Sequence, residues 1–503
     1  MPSGRPNILL IMTDQQRWDA LGAAGNPHIR TPVLDRLCAE GVRYDRCYTP
    51  SPVCVAARAA LVTGLLPHRT GSVDNGLPVR DGSATLMSLL GEAGYATHGV
   101  GKMHFSPPPR RSLGFGSLEL SEEIPGRAEV DDFLTFLQAR GFGHVHEPHG
   151  VRSDLYYVPQ VSQLPAHLHT TAWTADRAAA FLRAHDQRRP FFLWASFIKP
   201  HPPFDPPVPW NKLYRTVDMP PPFRPDGYPA LQTWWMRHQN RYKYREGGPD
   251  DTLARTIRAA YYACVSFIDH HVGRILRVLQ ATGCAEDTLV IFTSDHGELL
   301  GDYGSWGKRS FLDPAARVPL VIRWPGRRGA GTVEPRPASL LDLMPTCLAA
   351  AGIDPGPHGL DGCDLAGGIP DRPLFGQLSR GQRGTYMAAH GPFKYWYSAP
   401  DDREYLFDRT AEPVEARNLA GDPAHAHTVA TLRALLIERH RRDGDADVAE
   451  RTGWRRFPAP PEPAPDDDRI FQEAAWTDPW LREPGYEQPW VPPRGGRGTP
   501  GRA

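Results

Sequence analysis

The sequence predicts an α/β protein: a large mixed, mostly parallel sheet flanked by helices, followed by a smaller C-terminal antiparallel-sheet subdomain. Three observations point there. Short, nearly continuous apolar runs recur through the N-terminal part of the chain, and between them lie stretches with apolar residues at three- and four-residue steps. From residue 372 the pattern changes to a few strand-like segments closed by one helix. Strands covered on both faces read as unbroken apolar runs, whereas helices packed on one face show the 3.6-residue period.

Taken in order, the first strand is Asn7-Ile8-Leu9-Leu10-Ile11-Met12, with Asp14 and Gln15 just beyond it. An Ala-rich stretch follows, and a helix starting near Cys54 would set Arg58 on the same face, four residues on. Ala96 to Val100 reads as a strand leading into Lys102 and His104. Thr174 to His185 reads as a helix, and Phe191-Phe192-Leu193-Trp194-Ala195-Ser196-Phe197 as a strand ending before Lys199 and His201. A long helix, Asp251 to Ala281, precedes the strand Thr288-Leu289-Val290-Ile291-Phe292-Thr293, after which come Asp295 and His296. A helix from Ser339 to Ile353 closes a large domain spanning 1–371. Residues 372–443 form the small subdomain, with strands at Tyr386 to Ala389, Phe393 to Tyr397 and Glu404-Tyr405-Leu406-Phe407-Asp408, then a helix through Thr428 to Arg442. Residues 444–503 form a tail rich in Pro, Asp, Arg and Trp, whose Pro458 to Asp468 stretch is too polar to build a core.

Each strand thus ends in residues able to do chemistry, and ligands of open α/β sheets bind beyond the carboxyl ends of the strands. These positions are predicted to converge on one pocket. Asp14, Gln15 and Asp295 are oxygen donors suited to a hard divalent cation, while the nitrogen of His296 suits manganese or zinc better than calcium.

The most informative segment is Pro52-Val53-Cys54-Val55-Ala56-Ala57-Arg58-Ala59-Ala60-Leu61-Val62-Thr63-Gly64, with its Cys-x-Ala-x-Arg core. Taken alone, a cysteine on an Ala-rich helix reads as a packing residue. A second segment changes that reading: Gly94-Tyr95-Ala96-Thr97-His98-Gly99-Val100-Gly101-Lys102-Met103-His104. Together the two resemble the paired signatures of the type I, formylglycine-dependent sulfatases of the alkaline phosphatase superfamily. The family pattern usually carries Pro where Ala56 stands. The resemblance runs on through Lys199-Pro200-His201, Ser294-Asp295-His296-Gly297-Glu298, Lys308, Leu406-Phe407-Asp408 and Asn418-Leu419.

The resemblance implies that Cys54 is oxidised to formylglycine by a formylglycine-generating enzyme, and that its aldehyde hydrate is the nucleophile. It implies a metal site of Asp14, Gln15, Cys54 (as formylglycine), Asp295 and His296, with Ca2+ first and Mn2+ as the alternative. It implies a catalytic set of Cys54, Arg58, Lys102, His104, His201 and Lys308. One hydroxyl of the hydrate would attack sulfur in line while Lys102, Lys308 and the cation hold the developing negative oxygens. His201 or Lys308 would aid departure of the alcohol, and His104 would take the proton of the remaining hydroxyl. No set of extra Asp and His residues for a second metal is obvious beside these. Asn75 reads first as a turn residue and His68 as a residue that orders its loop. Trp210, Trp234, Trp235 and Trp306 could stack on a substrate or pack as core and lid residues.

The function so implied is a sulfuric ester hydrolase, arylsulfatase-like or choline-sulfatase-like, acting on a small sulfated substrate. One rival is a phosphonate monoester or phosphodiester hydrolase using the same aldehyde. The other is a catalytically silent metal- and anion-binding homologue with unmodified Cys54.

Composition agrees with a soluble enzyme. Lys plus Arg and Asp plus Glu are both 57, so net charge is zero and nothing implies nucleic acid or a membrane surface. Seven cysteines without paired spacing argue against a disulfide framework or a zinc cluster. With no secretory signal and no apolar run long enough to span a bilayer, the expected location is cytoplasmic. The tail aromatics Trp476, Trp480, Tyr486 and Trp490 need partners, and a homo-oligomer built through the tail is expected.

Overall fold

The strand Asn7–Asp14 lies near the middle of an eight-stranded sheet, and its alternating side chains feed two separate cores. Ile8, Leu10 and Met12 enter one core with Leu61, Met87 and Met344; Leu9 and Ile11 enter the other with Leu34, Trp173 and Ile268. A strand with both faces covered has no polar side, which is why it reads as an unbroken apolar run. The computed structural model describes residues 4–105, 110–124, 128–152, 156–243, 250–445, 448–450 and 453–461.

The sheet order is Thr332–Glu334, Val42–Tyr44, Leu320–Arg323, Thr288–Ser294, Asn7–Asp14, Phe191–Pro200, Ala96–Gly101, Ser117–Leu120. Asn7–Asp14 pairs in parallel with Phe191–Pro200 and with Thr288–Ser294, placing Leu9 between Leu193 and Val290. Ala96–Gly101 and Ser117–Leu120 continue the parallel half, and Leu320–Arg323 is antiparallel to both its neighbours. The sheet is therefore mixed and mostly parallel, as the sequence predicts. The four strands predicted from apolar runs, Asn7–Asp14, Ala96–Gly101, Phe191–Pro200 and Thr288–Ser294, end with their carboxyl termini on one edge, and each runs a residue or more past its sequence-predicted apolar core.

Helices cover both faces. Thr170–Ala184 and Asp251–Ala281 pack together on one side, the latter capped by the Asp250 carboxylate accepting from the Leu253 N–H. The helix predicted over Ser339 to Ile353 is shorter than expected. Ser339 ends a two-residue strand, Leu340–Asp342 makes a tight turn, and the α-helix is Leu343–Ala350. Pro345 has no N–H and is tolerated only in a first turn, so the helix starts just before it; Ser339 and Asp342 cap each other's backbone in the preceding turn.

The small subdomain has four antiparallel strands, Leu374–Leu378, Thr385–His390, Phe393–Ser398 and Arg403–Asp408, backed by the helix Ala426–Arg442. The first of these strands was not anticipated, because Phe375-Gly376-Gln377 interrupts its apolar pattern. Beyond Asp443 the chain stays on this sheet: the Trp454 ring stacks on Tyr397 at 4.5 Å and its Nε1 donates to the Tyr395 hydroxyl at 2.9 Å. Trp476, Trp480, Tyr486 and Trp490, and with them the tail-built oligomer, lie outside the described residues. Among the described residues no helix is long and apolar enough to cross a membrane, and all seven cysteines are free.

Packing of the long helix fixes a pH dependence. His271 is buried on it, against the Phe267 ring and with Nδ1 accepting from Arg274 at 3.1 Å. Burial, then the fields of Arg274 and His270, pushes its pKa from the ordinary 6.5 down to about 2. The unfolded chain binds this proton below about 6.5 and the folded chain does not, so the contribution is full above that pH and is lost as pH falls below it. Urea unfolding between about pH 7 and about pH 5 is expected to show a stability slope that His271→Gln makes shallower, by up to about 1.4 kcal/mol per pH unit. Identical slopes in the two proteins would refute this origin.

Candidate active site

Cys54 opens the helix Cys54–Thr63, every residue of which is buried. A helix start carries partial positive charge and favours an anion beside it; the Asn75 side-chain oxygen accepts the Val55 N–H at 3.2 Å. The Cys54 sulfur lies 3.2 Å from His296 Nε2, 2.9 Å from Lys308 Nζ and 3.8 Å from Asp14 Oδ1. Ligand atoms of Asp14, Cys54, Asp295 and His296 all fall within 4.8 Å of one another, and all four residues are buried. Residues from two different strand ends and one helix start thus meet at one point.

The donor set suits a cation. Asp295 Oδ1 accepts the backbone N–H groups of Gln15 (3.1 Å) and His296 (2.9 Å), which aims the carboxylate inward. His296 Nδ1 faces the Gly297 carbonyl at 2.9 Å. A carbonyl can only accept, so Nδ1 carries a proton, and Nε2 is the atom turned toward Asp14, Asp295 and Cys54, the position from which it could ligate a cation. Two carboxylates this close repel. Burial and the neighbouring Asp14 charge raise the pKa of Asp295, while Asp14, although burial opposes it, is held below the ordinary range by Lys102, His201 and Lys308. A divalent ion between them would relieve the repulsion that Lys102 and Arg58 offset only from outside.

Arg58 is fully buried four residues after Cys54. Its hydrogen bonds run to Asp295 Oδ2 (2.9 Å), Asp14 Oδ2 (3.4 Å), the Lys102 carbonyl (2.6 Å) and Ser196 Oγ (2.9 Å). The sequence places this guanidinium on the nucleophile; in the structure its donors are spent on the carboxylates, and its charge reaches Cys54 through space. Lys102 follows Gly101, whose φ of 92° and contact with the Ser196 carbonyl leave no room for a Cβ. That turn sends the Lys102 amine to Asp14 Oδ2 at 2.5 Å and to Glu123. Gln15 (φ 70°) and His104 (φ 55°) also hold left-handed backbone conformations that are costly for side chains with a Cβ. Gln15 Oε1 accepts from Lys308 Nζ at 2.9 Å, and its amide nitrogen donates to Glu298. His104 lies beside Cys54 and hydrogen-bonds it, while Glu122 Oε1 accepts the His104 backbone N–H at 2.9 Å.

Lys199 and His201 diverge. The Lys199 amine turns away to the His149 and Pro203 carbonyls and Asp205, fixing the loop, whereas His201 enters the site with Nε2 3.2 Å from Glu123 Oε1 and Nδ1 2.7 Å from the Pro202 carbonyl. Burial pushes the pKa of His201 down to about 4 against the pull of Glu123, so at neutral pH its ring donates to only one of these acceptors. Lys102 and Lys308 are both raised: burial opposes, and Cys54, Asp14 and Glu123 outweigh it. Cys54 is correspondingly held well below the usual thiol range; burial opposes, and Lys102, Lys308 and His296 prevail. An anion at this position is what the surroundings favour.

Glu123 is the residue that sequence reading missed. It bridges Lys102, Arg152 and His201 from a loop after a short edge strand, within Ser121-Glu122-Glu123-Ile124, a stretch with no periodicity or spacing to mark it. Glu298, at the end of the Ser294-Asp295-His296-Gly297-Glu298 motif, accepts from Gln15, the Tyr157 hydroxyl and the Gly307 N–H. Asn75 does lie at the site's edge, bonded to the first turn of the Cys54 helix. His68 does not, being bound to Gln377 and Asp443. Of the tryptophans, Trp306 packs on Tyr157 behind Gln15, Trp235 lies under Arg309, Trp234 stacks on His238, and Trp210 packs on Phe267.

A mixed sheet of this order, with an anion-favouring helix start and a cation-type donor cluster beyond its parallel strand ends, defines a hydrolase of the alkaline phosphatase superfamily. The family model described as "Sulfatase" matches residues 6–353. An arylsulfatase of Clostridium perfringens (strain 13 / Type A) is 31% identical over 467 residues, covering 86% of this chain and 94% of that protein. A choline-sulfatase of Rhizobium meliloti (strain 1021) is 31% identical over 457 residues, covering 86% of each. Among solved structures, the phosphonate monoester hydrolase of Agrobacterium radiobacter superposes with a TM-score of 0.75 at 27% identity, covering 90% of this chain and 100% of that one. The chain belongs to the sulfatase family.

Proposed function

We propose that the protein hydrolyses sulfate monoesters, with formylglycine made from Cys54 as the nucleophile and one divalent ion, calcium first and manganese second, held by Asp14, Gln15, Asp295 and His296. The observation that carries this is the placement of the Cys54 sulfur among His296 Nε2, Lys308 Nζ and Asp14 Oδ1, at 3.2, 2.9 and 3.8 Å. That sulfur stands where the oxygens of an aldehyde hydrate would sit, and such a hydrate offers one hydroxyl to attack and a second to expel the product. Maturation requires a formylglycine-generating enzyme that accepts Ala56 in place of Pro.

The roles of the chain's own groups follow from their charge states. Lys102 and Lys308 stay protonated and supply fixed positive charge to the non-bridging oxygens of the transferred group. Lys308 keeps its proton where His201 is neutral, so of the two it is the one able to give a proton to the departing alcohol. His104, beside Cys54 on a constrained backbone, would take the proton that releases sulfate. The cation would lower the charge repulsion between Asp14 and Asp295 and favour the ionised nucleophile.

The likeness to a phosphonate monoester hydrolase gives the second reading a footing, since sulfate and phosphonate monoesters share tetrahedral, in-line chemistry. Paired assays on an aryl sulfate and an aryl phosphonate monoester decide between them. The expected result is a kcat/KM for sulfate at least about tenfold higher, lost on chelation and restored by Ca2+ or Mn2+. A phosphonate preference would overturn the sulfate assignment. A choline sulfate assay run beside the aryl sulfate separates the arylsulfatase-like from the choline-sulfatase-like form.

A further inference from the structure

A second group of metal-type donors lies outside the active site, where the end of the C-terminal helix meets the short helix Pro67–Thr70 that follows the Cys54 helix. His68, His440 and Asp445 bring ligand atoms within 4.8 Å of one another. His440 is buried, and the His68 and Asp443 side chains keep only 6% and 10% of their exposure. The two imidazoles face each other with ring centroids 4.5 Å apart. His440 Nδ1 is 3.0 Å from Asp445 Oδ2, and His68 Nε2 is 2.8 Å from Asp443 Oδ2.

The hydrogen-bond pattern around His68 points to a cation. The Gln377 amide nitrogen donates to the Ser379 carbonyl at 2.9 Å, which turns its oxygen toward His68 Nδ1 at 3.2 Å. That oxygen only accepts, so Nδ1 carries the proton. In a neutral ring Nε2 is then a lone pair facing the Asp443 carboxylate, two acceptors at contact distance. Arg439 Nε donates to the same Asp443 oxygen at 2.6 Å and offsets part of that carboxylate's charge without reaching between it and the ring.

We propose that His68, His440 and Asp445, with Asp443 as fourth donor, form a structural site for a zinc-type divalent cation that staples the end of the C-terminal helix to the segment following the Cys54 helix. Two imidazoles and carboxylate oxygens are a set for a borderline transition metal rather than for calcium. Zinc ligands at about 2.0–2.1 Å in a tetrahedron lie about 3.4 Å apart, so bringing the ligand atoms of His68, His440 and Asp445, now within 4.8 Å of one another, to that spacing takes about an ångström of side-chain movement. The site sits just before the chain enters its tail, and an ion there would fix where the tail begins.

The test is zinc uptake by the full-length protein, stripped with a chelator and dialysed against Zn2+, read as metal equivalents by mass spectrometry and as a shift in melting temperature. Wild type is expected to hold one equivalent more than His68→Gln or Asp445→Asn, and to gain a zinc-dependent rise in melting temperature that both variants lose. Asp295→Asn separates the two sites: it is expected to reduce uptake at the active site and to leave the His68-dependent equivalent in place. Asp445 is partly exposed, so Asp445→Asn keeps the fold and decides the question even if His68→Gln unfolds. Equal zinc uptake and equal thermal shift in wild type and Asp445→Asn would overturn the proposal and leave these residues as proton-sharing pairs.

Discussion

Cys54→Ala is expected to lower sulfate ester turnover by on the order of 10⁵-fold while the protein stays folded, because it deletes the nucleophile and little else. The side chain is small and buried at a helix start, so the cavity left is one sulfur atom and the expected loss of stability is about 1 kcal/mol. Lys308 keeps Gln15 Oε1 as a partner, Asp14 keeps Lys102 and Arg58, and Asp295 keeps Arg58. Metal affinity should fall only modestly, since Asp14, Gln15, Asp295 and His296 remain. Peptide mass spectrometry across Cys54 completes the test: protein produced with a formylglycine-generating enzyme should show the thiol side chain converted to an aldehyde, and only converted protein should turn over. Unmodified cysteine together with equal background rates in wild type and Cys54→Ala would establish the silent, metal-binding form instead.

The parts of this site that sequence reveals are those tied to regular structure. Asp14, Asp295 and His296 follow apolar runs that can only be buried strands, and the ends of parallel strands share one edge, so their convergence follows from the fold. Arg58 was legible as a same-face partner of Cys54 by helical spacing, yet its actual acceptors, Asp14 and Asp295, come from strands more than forty and two hundred residues away, and spacing along one helix carries no information about them. Glu123 illustrates the opposite limit. It sits on a loop beyond the edge strand Ser117–Leu120, and what makes it matter is a three-way contact with Lys102, Arg152 and His201 that exists only after folding. The helix over Ser339 to Ile353 was misread at its start for a local reason, the position of Pro345, which apolar periodicity does not register. The strand Leu374–Leu378 was missed because its pairing with Thr385–His390, rather than its own pattern, makes it a strand.

Glu123 also sets the terms of the second large effect, the replacement of Lys102. Its amine is fully buried between Asp14 Oδ2, at 2.5 Å, and Glu123. Lys102→Met preserves the length and apolar stem of the side chain and removes only the charge. Two consequences should separate. Removing one partner of a buried ion pair costs about 3–5 kcal/mol because the other is left unpaired; here Arg58 still reaches Asp14 at 3.4 Å and Arg152 still reaches Glu123 at 2.8 Å, so the loss is expected near the lower end of that range. Loss of a fixed positive donor at the transferred group should lower kcat by roughly 10²–10³-fold beyond any effect on folding. The double variant Lys102→Met, Glu123→Gln distinguishes the two. It restores the net charge of the buried cluster but leaves Arg152 facing a neutral amide instead of a carboxylate, so stability against urea should recover only in part, while kcat stays low because the positive charge is still missing. If turnover recovers together with stability, Lys102 acts by holding Asp14 and Glu123 in place, and the charge facing the transferred oxygens has to come from Lys308 and the cation alone.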